Sequence, residues 1–115
     1  MEYQSYAQFK NKDVLSMEVI QTAVVGTLES SDIQISIFPN PGQGLEIELQ
    51  SAVKAQFGES ILATMKQVLS EFDITDAFIS AVDKGAFDWV IRARMQAACC
   101  RATGTTFNWK GEDPA

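Results

Sequence analysis

The chain has 115 residues, carries a formal net charge of −6, and is 46% hydrophobic. This length suits a single domain built around one core. An acidic chain without a basic stripe argues against a nucleic-acid partner and against an anionic membrane surface, because both require positive charge to neutralise phosphates. The chain contains no histidine, which excludes Ser-His-Asp and Cys-His catalysis and imidazole metal ligands. We therefore expect a protein that is not an independent catalyst.

The two cysteines, Cys99 and Cys100, are neighbours in the chain. A disulfide between adjacent residues is strained, and two thiols without histidine do not make a zinc site. We predict that both are small packing residues in a reducing compartment. The first residues lack the basic and apolar regions of a signal peptide, and no apolar run approaches the length of a membrane span. A cytoplasmic location is the expectation.

Three strands are predicted in the first half of the chain. Residues 19–28 are rich in β-branched residues, and Gly26 within them indicates a bulge or a close approach of the backbone. Apolar and polar residues alternate over residues 33–38 and again over 45–49, which is typical of half-buried strands. A turn rich in Pro and Gly, residues 39–44, separates these two strands. The pattern favours three antiparallel strands joined by tight turns.

The apolar spacing changes to a helical period at Ser51, which is a plausible N-cap. Gly58 interrupts this pattern, so we expect a kink there or a start of the helix near Glu59. The stripe that we predict to be buried consists of Val53, Phe57, Ile61, Leu62, Met65, Val68, Leu69 and Phe72. Such a stripe is most often core, and we assign it no other role.

A short apolar run over residues 77–82 predicts a fourth strand, and Asp83-Lys84-Gly85 predicts the turn that ends it. Residues 86–102 return to helical periodicity, and Gly104 is a suitable C-cap. The predicted stripe of this last helix contains Phe87, Val90, Ile91, Arg94 and Ala98.

The predicted order of elements is βββαβα, an α+β fold. A strand–helix–strand crossover is right-handed and places its two strands parallel. The simplest architecture is a two-layer sandwich, with a mixed β-sheet and two helices on one face. The order of the strands within the sheet does not follow from the pattern. Residues 1–16 are predicted to be a flexible N-terminal extension, residues 17–104 a single domain, and residues 105–115 a C-terminal tail that folds back only partly.

Two adjacent serines, Ser30 and Ser31, lie in the predicted turn between the first two strands. Their hydroxyls are candidates for covalent modification on an exposed hairpin tip. The simpler explanation is that serines are common in turns because their side chains bond to nearby backbone. From composition alone this second explanation is favoured.

Two further groups of residues are weaker candidates. Asp83 or Lys84 is a candidate for contact with a cofactor or partner, although a turn that simply joins a strand to a helix is the favoured explanation. The arginines of the last helix are Arg92, Arg94 and Arg101, and we consider Arg92 and Arg101 as an exposed flank that receives phosphate groups. A solvated helix surface is the commoner explanation. The turn at residues 39–44 has neither the P-loop nor the dinucleotide pattern, so we reject it as a nucleotide site.

Residues 23–32, AVVGTLESSD, resemble the start of the acyl carrier protein of citrate lyase, the small gamma subunit of that enzyme. Further similar segments are residues 53–58 (VKAQFG), 83–88 (DKGAFD) and 91–94 (IRAR). Together they cover roughly residues 17–104 in the right order. The chain does not resemble the four-helix carrier of fatty-acid synthesis, since it has three β-like runs and lacks the Asp-Ser-Leu start of a helix.

The resemblance implies a non-catalytic carrier subunit. In that family a serine following Thr-Leu-Glu bears phosphoribosyl-dephospho-coenzyme A through a phosphodiester, and the matching residue here is Ser30. The family often has glycine in the next position, where this chain has Ser31, so Ser31 is the fallback site. The terminal thiol of the group holds an acetyl or citryl thioester during the cleavage of citrate to acetate and oxaloacetate.

The partners implied by the resemblance are the alpha subunit, which transfers the acyl group, the beta subunit, which cleaves the citryl thioester, and a dedicated prosthetic-group transferase. Neither nucleic acid nor membrane is implied. The alternatives are the equivalent carrier subunit of malonate decarboxylase, a protein-binding adaptor that carries nothing, and a minor enzyme that uses carboxylates.

Overall fold

The computed structural model describes residues 17–105, so the predictions for residues 1–16 and for most of the tail lie outside the described residues. Four strands and two helices occur in the predicted order βββαβα. They are β1 (Ala23–Val25), β2 (Ile33–Phe38), β3 (Leu45–Ser51), α1 (Lys54–Glu71), β4 (Ala77–Asp83) and α2 (Asp88–Thr103). No helix within residues 17–105 is long and apolar enough to cross a membrane.

The four strands form one mixed sheet in the order β1-β2-β4-β3. β1 and β2 form an antiparallel hairpin, and β3 and β4 are parallel across the α1 crossover, as predicted. The expectation of three successive antiparallel neighbours is wrong, because β4 lies between β2 and β3. Glu46 and Glu48 on β3 are exposed, whereas the inward residues of β4 are fully buried. The apolar strand therefore takes a central position, and the charged strand takes an edge.

The core lies on one face of this sheet, and both helices pack against that face. Ile33, Ile35 and Ile37 of β2 point into it, and β4 contributes residues in register with them. Removing each such aliphatic side chain from water stabilises the fold by roughly 1.5–3 kcal/mol. The buried residues from β4 and the helices are Ala77, Ile79, Ala81, Ile61, Met65, Val68, Leu69, Ile91, Met95, Ala98, Cys99 and Ala102. The predicted two-layer α+β architecture is confirmed.

The first helix begins at Lys54 rather than at Ser51, and it passes through Gly58 without a break. Ser51 is instead the last residue of β3, where its hydroxyl accepts a hydrogen bond from the Val53 N–H at 3.1 Å. Gly58 is buried, and a Cβ there would lie 3.1 Å from the side chain of Lys54. Phe57, expected in the buried stripe, is 49% exposed because the helix has only just begun.

The second helix ends as predicted, with Gly104 in the left-handed region at φ 74° and its N–H bonded to the Cys100 carbonyl. Its beginning differs from the prediction. Phe87 occupies the N-cap with extended backbone and is 64% exposed, so it does not belong to the buried stripe. Cys99 is buried as a packing residue, and burial raises the pKa of its thiol to about 12.

The first strand is much shorter than residues 19–28, because Gly26 follows it at φ 92°. A Cβ on Gly26 would lie 1.9 Å from the Ile33 carbonyl oxygen. The predicted close approach of the backbone is confirmed. No side chain other than hydrogen fits between the two segments at the point where the hairpin loop leaves the sheet.

Gly26→Ala is expected to lower the free energy of unfolding by more than about 2 kcal/mol, since it adds left-handed strain to a backbone clash. Gly42→Ala is the matched control, because Gly42 has φ 71° but nothing lies within 4 Å of its added Cβ. Gly42→Ala should lower the free energy of unfolding by only about 1 kcal/mol. Urea unfolding of the two variants measures both, and equal losses would show that the contact with Ile33 is unimportant.

Candidate functional site

The loop between β1 and β2, residues 26–32, lies beside the turn that follows β4. The Ser31 N–H donates to the Lys84 carbonyl at 2.8 Å, and the Lys84 N–H donates to the Asp32 carbonyl at 2.8 Å. Within the loop, the Asp32 N–H donates to the Glu29 carbonyl at 3.2 Å. The turn at Asp83-Lys84-Gly85 therefore braces the serine loop through its backbone.

The side chain of Asp32 organises the loop. Its Oδ1 accepts hydrogen bonds from the Ile33 N–H at 2.7 Å and from Arg94 Nε at 3.0 Å. Its Oδ2 accepts from the Thr27 hydroxyl at 2.6 Å, the Thr27 N–H at 3.1 Å and Arg94 Nη2 at 3.1 Å. One carboxylate thus joins the start of the loop, the start of β2 and the middle of α2.

These contacts fix the charge of the carboxylate. Hydrogen bonds from Arg94 and Thr27 hold the pKa of Asp32 well below its ordinary value of 3.8, and the Ile33 N–H adds to this effect. Partial burial of the carboxylate opposes them but is outweighed. Asp32 is therefore ionised at neutral pH and forms a bidentate ion pair with Arg94, whose side chain is 40% exposed.

Both candidate serines are exposed, and the structure gives them different backbone roles. Ser31 has φ 65°, in the left-handed region that favours glycine, and its N–H bonds to Lys84. Ser30 precedes it without a positive φ. Neither hydroxyl makes a hydrogen bond to any other group in residues 17–105. The expected exposure of the two serines is confirmed.

An open groove of about 330 Å³ runs between the serine loop and α2. Ser30 and Ser31 lie on its loop side, together with Glu29 and Asp32. The first two turns of α2 form its other side, through Trp89, Val90, Ala93 and Arg94. The candidate hydroxyls therefore stand at the edge of a surface that can hold part of a small molecule.

Asp83 stabilises the fold and is not available to contact a cofactor or partner. It is 2% exposed, and its oxygens accept hydrogen bonds from the Ser51 hydroxyl at 2.9 Å and the Ala86 N–H at 3.0 Å. These bonds tie the end of β3 to the turn before α2. Lys84 is exposed, so of the two candidates in this turn only its side chain is available to a partner.

The three arginines of α2 do not share one flank. Arg92 forms an ion pair with Glu71 at the end of α1, and Arg94 pairs with Asp32. Arg101 lies nine positions after Arg92, which is half a turn away at 100° per residue. The predicted phosphate-receiving flank of Arg92 and Arg101 is therefore wrong.

The geometry gives no sign of a metal centre in residues 17–105, where no group of three His, Cys, Asp or Glu residues could hold an ion. The chemistry of this end of the molecule is that of two exposed hydroxyls and one neutralised carboxylate.

Comparisons with known proteins show the family to which the chain belongs. A citrate lyase acyl carrier protein from Streptococcus equi subsp. equi is 51% identical over 98 residues, covering 84% of this chain and 96% of its own length. One from Haemophilus influenzae is 48% identical over 94 residues, covering 82% of this chain and 97% of its own length. The chain belongs to the citrate lyase acyl carrier protein family. The predicted resemblance is confirmed.

A family model described as "ACP: Malonate decarboxylase delta subunit (MdcD)" matches residues 20–102 of this family member. Among solved structures, a Pseudomonas malonate decarboxylase hetero-tetramer in complex with malonate contains a similar chain. The TM-score is 0.66 at 20% identity, covering 76% of this chain and 89% of the other. At that identity the likeness shows a shared fold.

Sequence reasoning missed the pairing of Asp32 with Arg94 and the exposure of Trp89. A signal for the first was present, because Arg94 falls within the apolar stripe of its helix. An arginine at such a position needs an acidic partner when it is partly buried. No comparable signal identified the partner, which lies 62 positions earlier.

Arg94→Ala is expected to lower the free energy of unfolding by about 2 kcal/mol, because it leaves the mostly buried Asp32 carboxylate without its counter-charge. Arg92→Ala is the control, since it removes a more exposed ion pair with Glu71 and should cost less than about 1 kcal/mol. Urea unfolding at neutral pH compares them. Equal losses would contradict the special role of the Asp32 pair.

The stability contributed by Asp32 should depend on pH. Because the folded protein lowers the pKa of this carboxylate, its contribution is fully present above its ordinary value of 3.8 and is lost as the pH falls through the lower folded value. The difference in unfolding free energy between wild type and Asp32→Asn should be constant from about pH 7 to about pH 5 and should shrink below about pH 4. Urea unfolding across this range tests it, and a difference that persists unchanged into acid would refute it.

Proposed function

We propose that this protein is the acyl carrier subunit of citrate lyase and that Ser30 is the attachment point of its prosthetic group. The observation that carries the proposal is an exposed hydroxyl, without a hydrogen-bond partner in residues 17–105, on a loop that Asp32 ties to β2 and α2 in a chain of this family. The group, phosphoribosyl-dephospho-coenzyme A, would supply a thiol that holds the acetyl or citryl residue as a thioester. The chain itself would supply position and no catalytic group.

Ser30 is preferred to Ser31 for a backbone reason. The conformation of Ser31, with φ 65°, is one that glycine adopts without strain, so the position serves the turn whichever side chain it carries. Its N–H is also committed to Lys84. Ser30 has neither constraint, and it borders the open groove as Ser31 does. The proposed phosphodiester therefore joins at Ser30, with Ser31 as the fallback.

The Ser30 hydroxyl is exposed but not activated. Within residues 17–105 no carboxylate, amine or thiol hydrogen-bonds to it, and the chain has no histidine to act as a base. Attachment would therefore depend on a transferase that removes the hydroxyl proton as the Ser30 oxygen bonds to a phosphorus of the activated precursor and a phosphate leaving group departs from that phosphorus. A rigid, accessible loop suits recognition by such an enzyme.

The proposed partners are the alpha subunit, as acyl transferase, and the beta subunit, as citryl lyase, in addition to the prosthetic-group transferase. A tether on a fixed loop would keep the acyl group at high effective concentration near both partners. We place the complex in the cytoplasm, because the two cysteines are neighbours in the chain and are not spaced for a structural disulfide.

The second candidate is the carrier subunit of malonate decarboxylase, which the description of the matching family model and the shared fold favour. The curated relatives that share about half of their sequence with this chain are citrate lyase carriers, and this higher similarity favours the citrate lyase assignment. Reconstitution of the loaded chain with each set of catalytic subunits separates the two, because only the correct set should turn over its substrate.

Wild-type protein co-expressed with the citrate lyase prosthetic-group transferase and the enzyme that makes its precursor should gain the mass of one phosphoribosyl-dephospho-coenzyme A. Ser30→Ala should gain none, because the accepting oxygen is absent. Ser31→Gly should gain the full mass, because glycine fits φ 65° at that position. Intact-protein mass spectrometry measures all three.

The Streptococcus equi carrier, expressed alongside, is the positive control for the transferase. If that control is loaded and the wild-type chain is not, the carrier function is wrong. If mass appears on Ser30→Ala and disappears from Ser31→Ala, the attachment site is Ser31.

A further inference from the structure

The groove beside Ser30 has a second wall, formed by α2, that covalent attachment of a group at Ser30 does not require. The serine loop forms one side, and Trp89, Val90 and Ala93 of α2 form the other. Its volume of about 330 Å³ lies at the lower end of small-molecule pockets, which run from roughly 300 to 1,000 Å³. A portion of a ligand fits there, provided that the rest extends into solvent.

Trp89 is the most exposed large hydrophobic side chain in residues 17–105, at 71%. An indole this open to water offers a broad π-face, and no other aromatic ring within residues 17–105 contacts it. Such a face stacks on aromatic heterocycles, as nucleic-acid bases do on aromatic side chains in proteins that bind single strands. The chemistry of this wall is therefore suited to a purine.

Arg94 adds an oriented N–H donor group to the same groove. Its Nε and Nη2 are held by Asp32, which fixes the direction of the guanidinium. Its Nη1 makes no hydrogen bond to any group in residues 17–105 and so remains available to an anion. Glu29 and Asp32 also border the groove, but the charge of Asp32 is already neutralised by Arg94. Glu29 is exposed and screened by water.

We propose, on the basis of the function proposed above, that this groove is a resting site for the nucleotide portion of the prosthetic group. Trp89 would receive the adenine base, and Arg94 would face the phosphates. In phosphoribosyl-dephospho-coenzyme A a phosphate and two sugars separate the serine oxygen from the base, so the base can fold back onto α2. The groove would thereby hold the arm near its root and leave the thiol end free.

The test compares loaded wild-type protein with loaded Trp89→Ala by proton NMR, after mass spectrometry has verified loading of each. A base stacked on indole has its non-exchangeable adenine protons shifted upfield by ring currents. These shifts should be present in wild type and absent in Trp89→Ala. Phe87→Ala is the matched control, because Phe87 is also exposed near the start of α2 but lines a different groove. It should retain the wild-type shifts.

Quenching of Trp89 fluorescence by acrylamide gives a second readout. It is measured in a Trp109→Phe background, since the chain has two tryptophans. Loading should reduce the quenching constant of Trp89 about twofold or more, because a stacked base covers one face of the ring.

The outcomes separate this inference from the function it rests on. If the loaded protein shows the adenine proton shifts of the free nucleotide and an unchanged quenching constant for Trp89, the resting site is wrong but the carrier function stands. Wild-type protein that gains no mass beside a loaded positive control overturns both. Upfield shifts that survive in Trp89→Ala also reject the resting site, since the base would then lie elsewhere.

Discussion

The Asp32 carboxylate is the interaction on which the functional end of this domain depends. It accepts five hydrogen bonds, from Thr27 in the loop, Ile33 in β2 and Arg94 in α2. Those from the guanidinium are charge-assisted and roughly twice as strong as neutral ones. Without the hydrogen bonds to the Asp32 carboxylate, the loop would be held to the rest of the fold mainly by its two backbone bonds to Lys84. The position of Ser30 relative to α2 therefore depends on this side chain together with the backbone bonds to Lys84.

The loop thus combines a fixed backbone with an uncommitted hydroxyl. The left-handed backbone conformations of the loop fall on Gly26 and Ser31, and the Ser31 N–H bonds to Lys84, whereas Ser30 keeps an exposed side chain. For the proposed carrier this division has a kinetic consequence. The volume searched by a tethered group depends on the length of the tether and on the mobility of its anchor. A braced anchor confines the search to the arm itself.

The features that were predicted correctly have local causes. Alternation predicted β2, and a close backbone approach was read from Gly26 inside a strand-like run. The features that were missed depend on distant residues. Ser51 has the chemistry of an N-cap, but its hydroxyl donates to Asp83, 32 positions later, and the helix starts further on. Strand order likewise depends on which strand can be buried at the centre, which no single segment reveals.

Net charge is a poor guide to what this end of the molecule binds. The chain carries −6 overall, which on its own would disfavour the phosphates of the proposed prosthetic group. Charges interact appreciably only within about 8 Å at physiological ionic strength, so carboxylates elsewhere on the surface contribute little at the groove. There the Arg94 guanidinium is held in place by Asp32, and its Nη1 makes no hydrogen bond to the part of the chain that the structure describes. An acidic domain can therefore present a local site for an anion, since the carboxylate that orients the arginine already belongs to the fold.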